Sequence, residues 1–205
     1  MNVTPLILPG SSDDLRRATQ HKDIWPPEGL SQYWREHARG RVYVAAESYP
    51  LTRFQGTRRL SEYLDSCTLS LARLCREPRI EGVNLSRTLF IDTETTGLHF
   101  RSGAFAFLVG VAYFEADRLE VRQYFTHSPE GERAMLALML EELRPYDLLV
   151  SFNGRAFDVP MLDHGLSRHR FRNPLDELPH ADLLLAARRL WKERLQSCRL
   201  SSLEH

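Results

Sequence analysis

The chain has 205 residues, of which 42% are hydrophobic and 26% are charged, and its 27 basic and 27 acidic side chains give it a formal net charge of zero. This length allows one well-packed domain with a smaller attachment, and the balanced charge argues against extensive coating of nucleic acid while leaving room for a local basic surface. The N-terminus is unlike a signal peptide, and no apolar run approaches about 18 residues, so we expect a cytoplasmic protein without a membrane span. The cysteines lack metal-ligand spacing, so we expect reduced, largely buried thiols.

The beginning of the chain is predicted to be an attachment rather than a domain. Residues 1–35 are punctuated by proline and glycine and are expected to form an irregular arm. Residues 41–46 have strand character, and apolar residues at helical spacing predict one helix over residues 60–74. Because these apolar residues are too few to form a core, residues 1–86 are interpreted as an arm and a small helical extension that packs on residues 87–205.

The main domain is predicted to begin with three strands. Residues 88–91 form a short apolar run, which is typical of a central strand covered on both faces. Residues 104–114 and Arg118–Phe125 are predicted to be the next two strands. The short polar turn between them makes this pair an antiparallel hairpin.

Helices and buried strands alternate in the rest of the chain. Residues 128–143 are predicted to form a helix with Ser128 as its N-cap, and residues 148–152 form the next buried strand. Further helices are expected over residues 157–169 and 182–195. This order predicts an α/β fold in which an antiparallel three-strand meander and parallel strands form one mixed sheet with helices on both faces.

Two acidic residues, Asp92 and Glu94, follow the apolar run of the first main-domain strand. Strand alternation places both side chains on one face, with their Cα atoms about 6.5–7 Å apart. Carboxylates at this spacing repel each other unless a cation lies between them, and hard divalent ions with oxygen ligands meet that need. The alternative is a solvated strand end that pairs with an arginine.

A third acid, Asp158, is predicted to reach the same edge of the sheet from another element. It lies in the first turn of a helix, directly after the loop of residues 153–157. Open α/β sheets bind ligands at the carboxyl ends of their strands, where Gly97 would also allow a ligand to approach closely. The alternative for Asp158 alone is stabilisation of the helix N-terminus, worth up to about 1 kcal/mol.

Residues 92–98, Asp-Thr-Glu-Thr-Thr-Gly-Leu, resemble the first motif of the DEDD superfamily of 3′–5′ exonucleases, and residues 153–158, Asn-Gly-Arg-Ala-Phe-Asp, resemble its second motif. Residues 105–111 and 151–160 are similar to the bacterial YprB-like branch, and the similarity extends from residue 87 to the chain end. The resemblance implies a ribonuclease-H-like fold and a metal-dependent exonuclease. It further implies two Mg²⁺ or Mn²⁺ ions and a single-stranded 3′ end of DNA or RNA as substrate.

The resemblance also implies roles for individual residues. Asp92 would bridge both metal ions, Glu94 would hold the ion that activates the attacking water, and Asp158 would support the second ion directly or through water. Asn153 would position its loop by hydrogen bonding. Asp182 matches a segment beside the site and is interpreted as structural or as a support behind the ligands. The terminal nucleotide would contact the turn after the strand, and its base would lie near Leu98. The residues of this turn are Thr95, Thr96, Gly97 and Leu98.

The third motif of this superfamily has no counterpart after Asp158. It consists of a histidine or tyrosine that acts as general base, followed by an aspartate. The Tyr-x3-Asp spacing occurs at Tyr113 and Asp117, within the predicted hairpin and before the second motif. Residues 203–205, Leu-Glu-His, also match the start of a common purification tag. We therefore expect the fourth carboxylate and the base to lie downstream in the native protein, and this chain alone to be weak or inactive.

The helix near the C-terminus is rich in basic residues. A phosphate-binding face and an ordinary solvated face both fit this pattern, since phosphate contacts dominate nucleic-acid affinity but exposed arginines are common. The histidines show no zinc-like pair near a third ligand, so zinc is not expected. The basic side chains of this helix are Arg188, Arg189, Lys192 and Arg194.

The leading hypothesis is therefore a two-metal 3′–5′ exonuclease. The alternative is a ribonuclease-H-like module that binds nucleic acid without cleaving it. A ribonuclease H or a transposase-type endonuclease would share the fold, but these enzymes do not pair their acids as Asp-x-Glu on the first strand and are less favoured.

Overall fold

The computed structural model describes residues 34–97 and 103–203, which form nine strands and five α-helices. The strands are β1 (Trp34–His37), β2 (Gly40–Pro50), β3 (Phe54–Gln55), β4 (Arg58–Arg59), β5 (Thr88–Thr95), β6 (Ala106–Glu115), β7 (Arg118–Phe125), β8 (Leu148–Ser151) and β9 (His180–Asp182). The helices are α1 (Thr68–Cys75), α2 (Pro129–Glu142), α3 (Asp158–Arg168), α4 (Leu183–Trp191) and α5 (Leu200–Leu203).

Seven of these strands form one mixed sheet in the order β1-β2-β7-β6-β5-β8-β9. Strands β5, β6 and β7 are the predicted antiparallel meander, and β8 and β9 add to it in parallel. The predicted mixed α/β sheet is therefore confirmed. Strand β5 extends beyond the apolar run of residues 88–91 to Thr95, so Asp92 and Glu94 lie at its carboxyl end, as the sequence predicts.

The edge formed by β1 and β2 comes from the segment that the sequence assigns to the extension. Strand β2 pairs with β7 from Tyr43, opposite Phe125, to Pro50, opposite Arg118. This pairing joins residues far apart in sequence, which local patterns do not reveal. The boundary at residue 87 stays a prediction, but the described part of the extension continues the sheet and is not only helical.

The single helix predicted over residues 60–74 is divided in two. A 3-10 helix covers Leu60–Tyr63, and α1 begins only at Thr68. Between them Ser66 closes a turn on Tyr63, and Cys67 has extended backbone angles as the N-cap of α1. Polar residues such as Asp65 and Ser66 favour turns and caps over helix interiors, which explains the interruption.

Helices cover both faces of the sheet. On one face α2 and α3 pack against Leu89 and Ile91 of β5. On the other face α1 and α4 pack against Leu148 and Val150 of β8. The sheet is therefore the middle layer of the domain, and the carboxyl ends of its parallel strands lie at one edge, between these helices.

Two predictions from composition meet different outcomes. Within the ranges given above, no helix is long and apolar enough to cross a membrane. The three thiols are free, but they are not uniformly buried: Cys75 is buried, whereas Cys67 is exposed and Cys198 is partly exposed. The prediction for Cys67 is wrong because this residue lies in the turn before α1 and not on the buried side of a continuous helix.

Candidate active site

Asp92, Glu94 and Asp158 line one pocket of about 250 Å³ at the carboxyl end of β5. Strand β5 contributes the first two acids, and Asp158 is the first residue of α3. The predicted convergence of three carboxyl groups from two separate elements is thus present in the structure. Their predicted roles in binding metal stay predictions.

The end of β5 has an irregular register beside the acids. Pairing with β6 shifts between Glu94 and Thr95. Such a bulge bends a strand and changes the direction of its side chains, and bulges are common next to active sites. The hydroxyl of Thr95 donates to the carbonyl of Gly97 at 3.1 Å, which closes the turn that leaves the strand.

The carboxyl group of Asp92 is in an electrostatically unfavourable place. Burial raises its pKa to about 6, and the negative charges of Asp158 and Glu94 act in the same direction. Asp92 nevertheless remains exposed to solvent where it lines the pocket. A carboxyl group with a raised pKa beside other acids marks a place where a cation would be stabilised.

Thr93, between the two acids in sequence, holds Asp158 in position. Its backbone N–H and its hydroxyl both donate to Oδ1 of Asp158, at 2.8 and 2.6 Å. Burial raises the pKa of Asp158, and these two hydrogen bonds from Thr93 oppose that rise. Thr93 points to the opposite face of β5 from Asp92 and Glu94, so one strand supplies two acids on one face and a clamp for the third on the other.

The loop of residues 152–157 is fixed from behind by Asp182, which is only 3% exposed. Its carboxylate accepts hydrogen bonds from the backbone N–H groups of Asn153, Arg155 and Leu184, at 2.8, 3.2 and 3.1 Å. Asp182 therefore both caps α4 and ties down the loop that leads to Asp158. Asn153 has a φ of 68°, a left-handed conformation that asparagine tolerates better than most residues.

A second buried contact supports the same loop. The hydroxyl of Ser151 accepts a hydrogen bond from the N–H of Gly154 at 3.1 Å and lies 2.7 Å from Nε2 of His180. Burial lowers the pKa of His180 to about 4, so its ring is neutral near pH 7. At Gly154 a Cβ atom would lie 2.3 Å from the Ser151 hydroxyl and 3.1 Å from Oδ2 of Asp158, so a side chain there would displace both.

The other residues of the pocket divide into predicted and unpredicted ones. Thr95, Gly97 and Asn153 line it as expected from the sequence. Thr96 does not line it but pairs with Phe105, and Leu98 lies outside the described residues. The pocket also contains residues to which the sequence motifs assign no role: Phe152, Phe157 and Met161.

Phe157 is the most informative of these, because 48% of this large aromatic side chain is exposed directly before Asp158. An exposed aromatic face beside a charged pocket can stack on a nucleobase. The signal in the sequence is the aromatic position of the second motif, which marks the motif but does not by itself indicate a contact surface.

Residues 89–205 match a family model described as the RNase_H superfamily. The chain belongs to the RNase_H superfamily. Its members are in general hydrolytic nucleases that act on nucleic acid, typically with divalent metal ions. The described mixed sheet with helices on both faces agrees with this fold, and the three carboxyl groups lie within the matched range.

The chain is also similar to "Uncharacterized protein YprB" of Bacillus subtilis (strain 168). The two are 37% identical over 159 residues, which cover 76% of this chain and 38% of that protein. The chain thus spans well under half the length of the curated relative that it matches. The activity and substrates of the whole protein are therefore proposals.

The RNase_H superfamily raises the question of whether this pocket fits a divalent ion. The chemistry fits: the acids offer only oxygen ligands, and the negative charges of Asp158 and Glu94 add to the rise in the pKa of Asp92 that burial causes. The distances are less favourable, since over residues 34–97 and 103–203 no group of three or more His, Cys, Asp or Glu side chains is close enough to hold an ion. The pocket therefore fits a hard cation in charge and donor type, and the three carboxyl groups would have to move closer together to bind one.

The basic residues predicted to contact phosphate lie on and after α4 and away from this pocket. All four are exposed. Arg189 has a structural partner, because its guanidinium donates to the carbonyls of Arg73 and Leu74 at the end of α1, the latter at 2.8 Å. The predicted phosphate-binding role of this helix stays a proposal. Arg188 is the better candidate of the two neighbouring arginines, because Arg189 is hydrogen-bonded to α1.

Proposed function

We propose that this domain is a metal-dependent 3′–5′ exonuclease that removes nucleotides from a single-stranded 3′ end by two-metal-ion hydrolysis with Mg²⁺ or Mn²⁺. The proposal depends above all on one observation, the meeting of Asp92, Glu94 and Asp158 in a pocket where burial and mutual repulsion raise the pKa of Asp92. The Asp-x-Glu pair on the first main-domain strand favours an exonuclease over a ribonuclease H or transposase-type endonuclease.

The three acids divide the work of binding the ions. Asp92 would bridge both ions, Glu94 would hold the ion beside the attacking water, and Asp158 would support the other. Bound divalent ions supply Lewis-acid stabilisation of the leaving oxygen and activation of water. The two hydrogen bonds from Thr93 fix Oδ1 of Asp158 and so fix the direction of its other oxygen.

The walls of the pocket would hold the substrate. Phe157 offers an exposed ring for stacking on the terminal base, and the turn of Thr95 and Gly97 would contact the terminal nucleotide. Asp182 and Ser151 hold the loop before Asp158 through its backbone and do not themselves line the pocket. Preorganised ligands of this kind are needed because a small misplacement of a catalytic group costs a large factor in rate.

The proposed active site also needs a fourth carboxylate and a His or Tyr general base, which the described residues do not supply. Without them one ion would have only Asp92 and Glu94 as protein ligands. We therefore expect the chain of 205 residues to bind a divalent ion weakly and to have little activity. Each lost increment of about 1.4 kcal/mol in transition-state stabilisation lowers a rate tenfold, so a loss of several orders of magnitude is expected.

A second candidate is a nucleic-acid-binding module that does not cleave. The observation that favours it is that, within the described part of the chain, the three acids do not form a group that could hold an ion together. The two candidates differ in one property: only the nuclease requires that Asp92 and Glu94 bind a divalent ion.

Calorimetric titration with Mn²⁺ separates these candidates. The chain should bind Mn²⁺ weakly, and Asp92→Asn should abolish this binding while leaving the domain folded. The matched control is Asp117→Asn, which changes an exposed acid in the β6–β7 turn. Unchanged Mn²⁺ affinity in Asp92→Asn would exclude Asp92 as the bridging ligand. A chain extended by its native downstream sequence should digest an oligonucleotide from the 3′ end, and a lack of digestion of both DNA and RNA would favour the binding module.

A further inference from the structure

A second and larger pocket, of about 580 Å³, lies on the sheet beside the acids, toward the start of β5. Its floor is the face of the meander that carries Phe90, Ala112, Phe114 and Leu119. The hairpin β3–β4 and the 3-10 helix Leu60–Tyr63 form its walls. Its volume is in the range of pockets that bind small organic groups, about 300–1,000 Å³.

Three aromatic rings line this pocket and pack against one another at different angles. The ring of Tyr63 stacks on that of Phe114 with centroids 5.5 Å apart, and Phe90 packs against both at 5.3 and 5.9 Å. The hydroxyl of Tyr63 lies 3.2 Å from the hydroxyl of Thr88, which fixes the orientation of the ring. All three rings are only partly buried. Partly exposed aromatic faces in a fixed arrangement suit a flat aromatic ligand better than an aliphatic one.

The rim of the pocket is basic. Residues 51–61 contain three arginines and no acid. Of the pocket residues, Arg58 and Arg59 are positive and Glu62 is negative, so two charges minus one leave an excess of one positive charge. Glu62 forms an exposed ion pair with the Arg58 guanidinium at 2.7 Å and accepts from the N–H of Arg59 at 2.9 Å, so the excess positive charge corresponds to the Arg59 side chain.

Aromatic rings and guanidinium groups also pair on the hairpin β3–β4 and in the segment just before it. The guanidinium of Arg59 lies 5.2 Å from the ring centroid of Phe54, and that of Arg53 lies 4.1 Å from the ring centroid of Tyr49. Phe54 is 56% exposed. A positive edge beside aromatic faces is the combination that proteins use to bind single-stranded nucleic acid, with arginine at the phosphates and rings at the bases.

The sheet leads directly from this pocket to the acids. Phe90 and Asp92 are two residues apart and project from the same face of β5, about 6.5–7 Å apart at Cα. Their partners on β6 are Ala112 and Gly110. Gly110 is partly buried, and a Cβ atom built there would meet only the backbone oxygen of Asp92, at 3.7 Å, so little side-chain bulk lies at this point between the two pockets.

We propose that the pocket of Tyr63, Phe90 and Phe114, with Arg58 and Arg59 at its rim, binds an internal base and its flanking phosphate in the same single strand whose 3′ end lies at Asp92. In this proposal, only the placement of the nucleic acid's 3′ end at Asp92 rests on the proposed exonuclease function. The chemistry of the pocket is independent of the acids: stacking on every kind of base and one excess positive charge for the backbone. Binding there would place the strand across Gly110 and present its end to the acids.

The test is fluorescence anisotropy with 5′-labelled single-stranded oligonucleotides, each with one abasic position, in the absence of divalent ions. For the wild-type chain, one or two adjacent internal positions should weaken binding by roughly fivefold or more when abasic, apart from any effect at the 3′-terminal base beside Phe157. Ala112→Phe, which fills the pocket, and the double variant Arg58→Ala/Arg59→Ala should remove this internal dependence. Arg133→Ala, an exposed arginine of α2 across the sheet, should keep it.

Three results would overturn the proposal: no binding of the wild-type chain, no internal abasic position that matters, or an unchanged profile in both pocket variants. If circular dichroism shows that Ala112→Phe does not fold, the double arginine variant decides, since it changes exposed side chains and one exposed ion pair of small energetic value. Failure of the exonuclease proposal looks different: Asp92→Asn would bind Mn²⁺ as well as the wild type while the internal abasic dependence persisted.

Discussion

Two buried aspartates at helix starts are used in opposite ways: Asp158 is the first residue of α3, and Asp182 is the N-cap of α4. Backbone N–H groups reach both oxygens of Asp182 from three residues. Asp158 receives both hydrogen bonds from Thr93 on one oxygen, and its charge raises the pKa of Asp92. A carboxylate surrounded by donors stabilises the fold, whereas one that faces other acids stores repulsion that a cation can relieve.

The largest effect is expected for Asp182→Asn. The amide keeps one acceptor and turns an N–H₂ group toward backbone donors, so we expect the free energy of unfolding to fall by about 3 kcal/mol. Urea denaturation measures this loss. Asp117→Asn, in an exposed turn, is the matched control and should change stability by less than about 0.5 kcal/mol. A loss equally small in Asp182→Asn would mean that the donors around Asp182 contribute little.

The next largest effect concerns the clamp on Asp158. Thr93→Val removes the hydroxyl donor and keeps the backbone N–H, so we expect a loss of about 1 kcal/mol in stability and weaker Mn²⁺ binding. Thr93→Ser restores the hydroxyl and should restore Mn²⁺ affinity. Stability loss with unchanged Mn²⁺ affinity in Thr93→Val would show that the clamp serves the fold alone.

The pH dependence of stability provides a smaller effect that distinguishes Asp92. Its pKa is raised from 3.8 to about 6 in the folded chain. An acid whose folded-state pKa is raised stabilises the fold while protonated, so this contribution is present below about pH 4 and is lost as the pH rises through about 6. His180, with its pKa lowered from 6.5 to about 4, acts in the opposite direction over the same range.

The difference between Asp92→Asn and the wild type isolates this effect, because His180 is common to both. Asp92→Asn should gain stability relative to the wild type as the pH rises from about 4 to about 7, measured by urea denaturation at each pH. A constant difference across this range would mean that Asp92 ionises as an ordinary exposed acid. Mn²⁺ at high concentration should reduce the difference at neutral pH by binding the wild-type chain.

The smallest effects are expected on the basic helix α4. There Arg189 has a structural partner at the end of α1, whereas Arg188 is available to bind phosphate. Arg188→Glu should weaken binding to all single-stranded sequences alike and reduce its salt dependence, without loss of stability. Arg189→Glu should also destabilise the domain, because it removes the donor to the end of α1. Equal effects of both variants on stability, or affinity that does not depend on salt, would contradict phosphate contact by this helix.

The sequence was sufficient for features that depend on neighbouring residues. The apolar run before Asp92 predicted a central strand, and the acid at the start of a helix after Asn153 predicted where Asp158 would lie. Features that join distant residues were not predictable in this way: the clamp from Thr93 to Asp158, the contact between Ser151 and His180, and the pairing of β2 with β7. These depend on how the chain packs, and no periodicity in the sequence encodes them.

The central claim is that the carboxyl groups of this pocket, and not the buried Asp182 behind it, exist to bind a divalent ion. Mn²⁺ titration calorimetry on Asp158→Asn, Asp182→Asn and the wild-type chain, at a temperature where circular dichroism shows all three folded, tests it most directly. The account predicts that Asp158→Asn loses the weak Mn²⁺ binding of the wild type without loss of stability, and that the folded fraction of Asp182→Asn retains it. Mn²⁺ binding that survives in Asp158→Asn, or that disappears only in Asp182→Asn, would contradict the account.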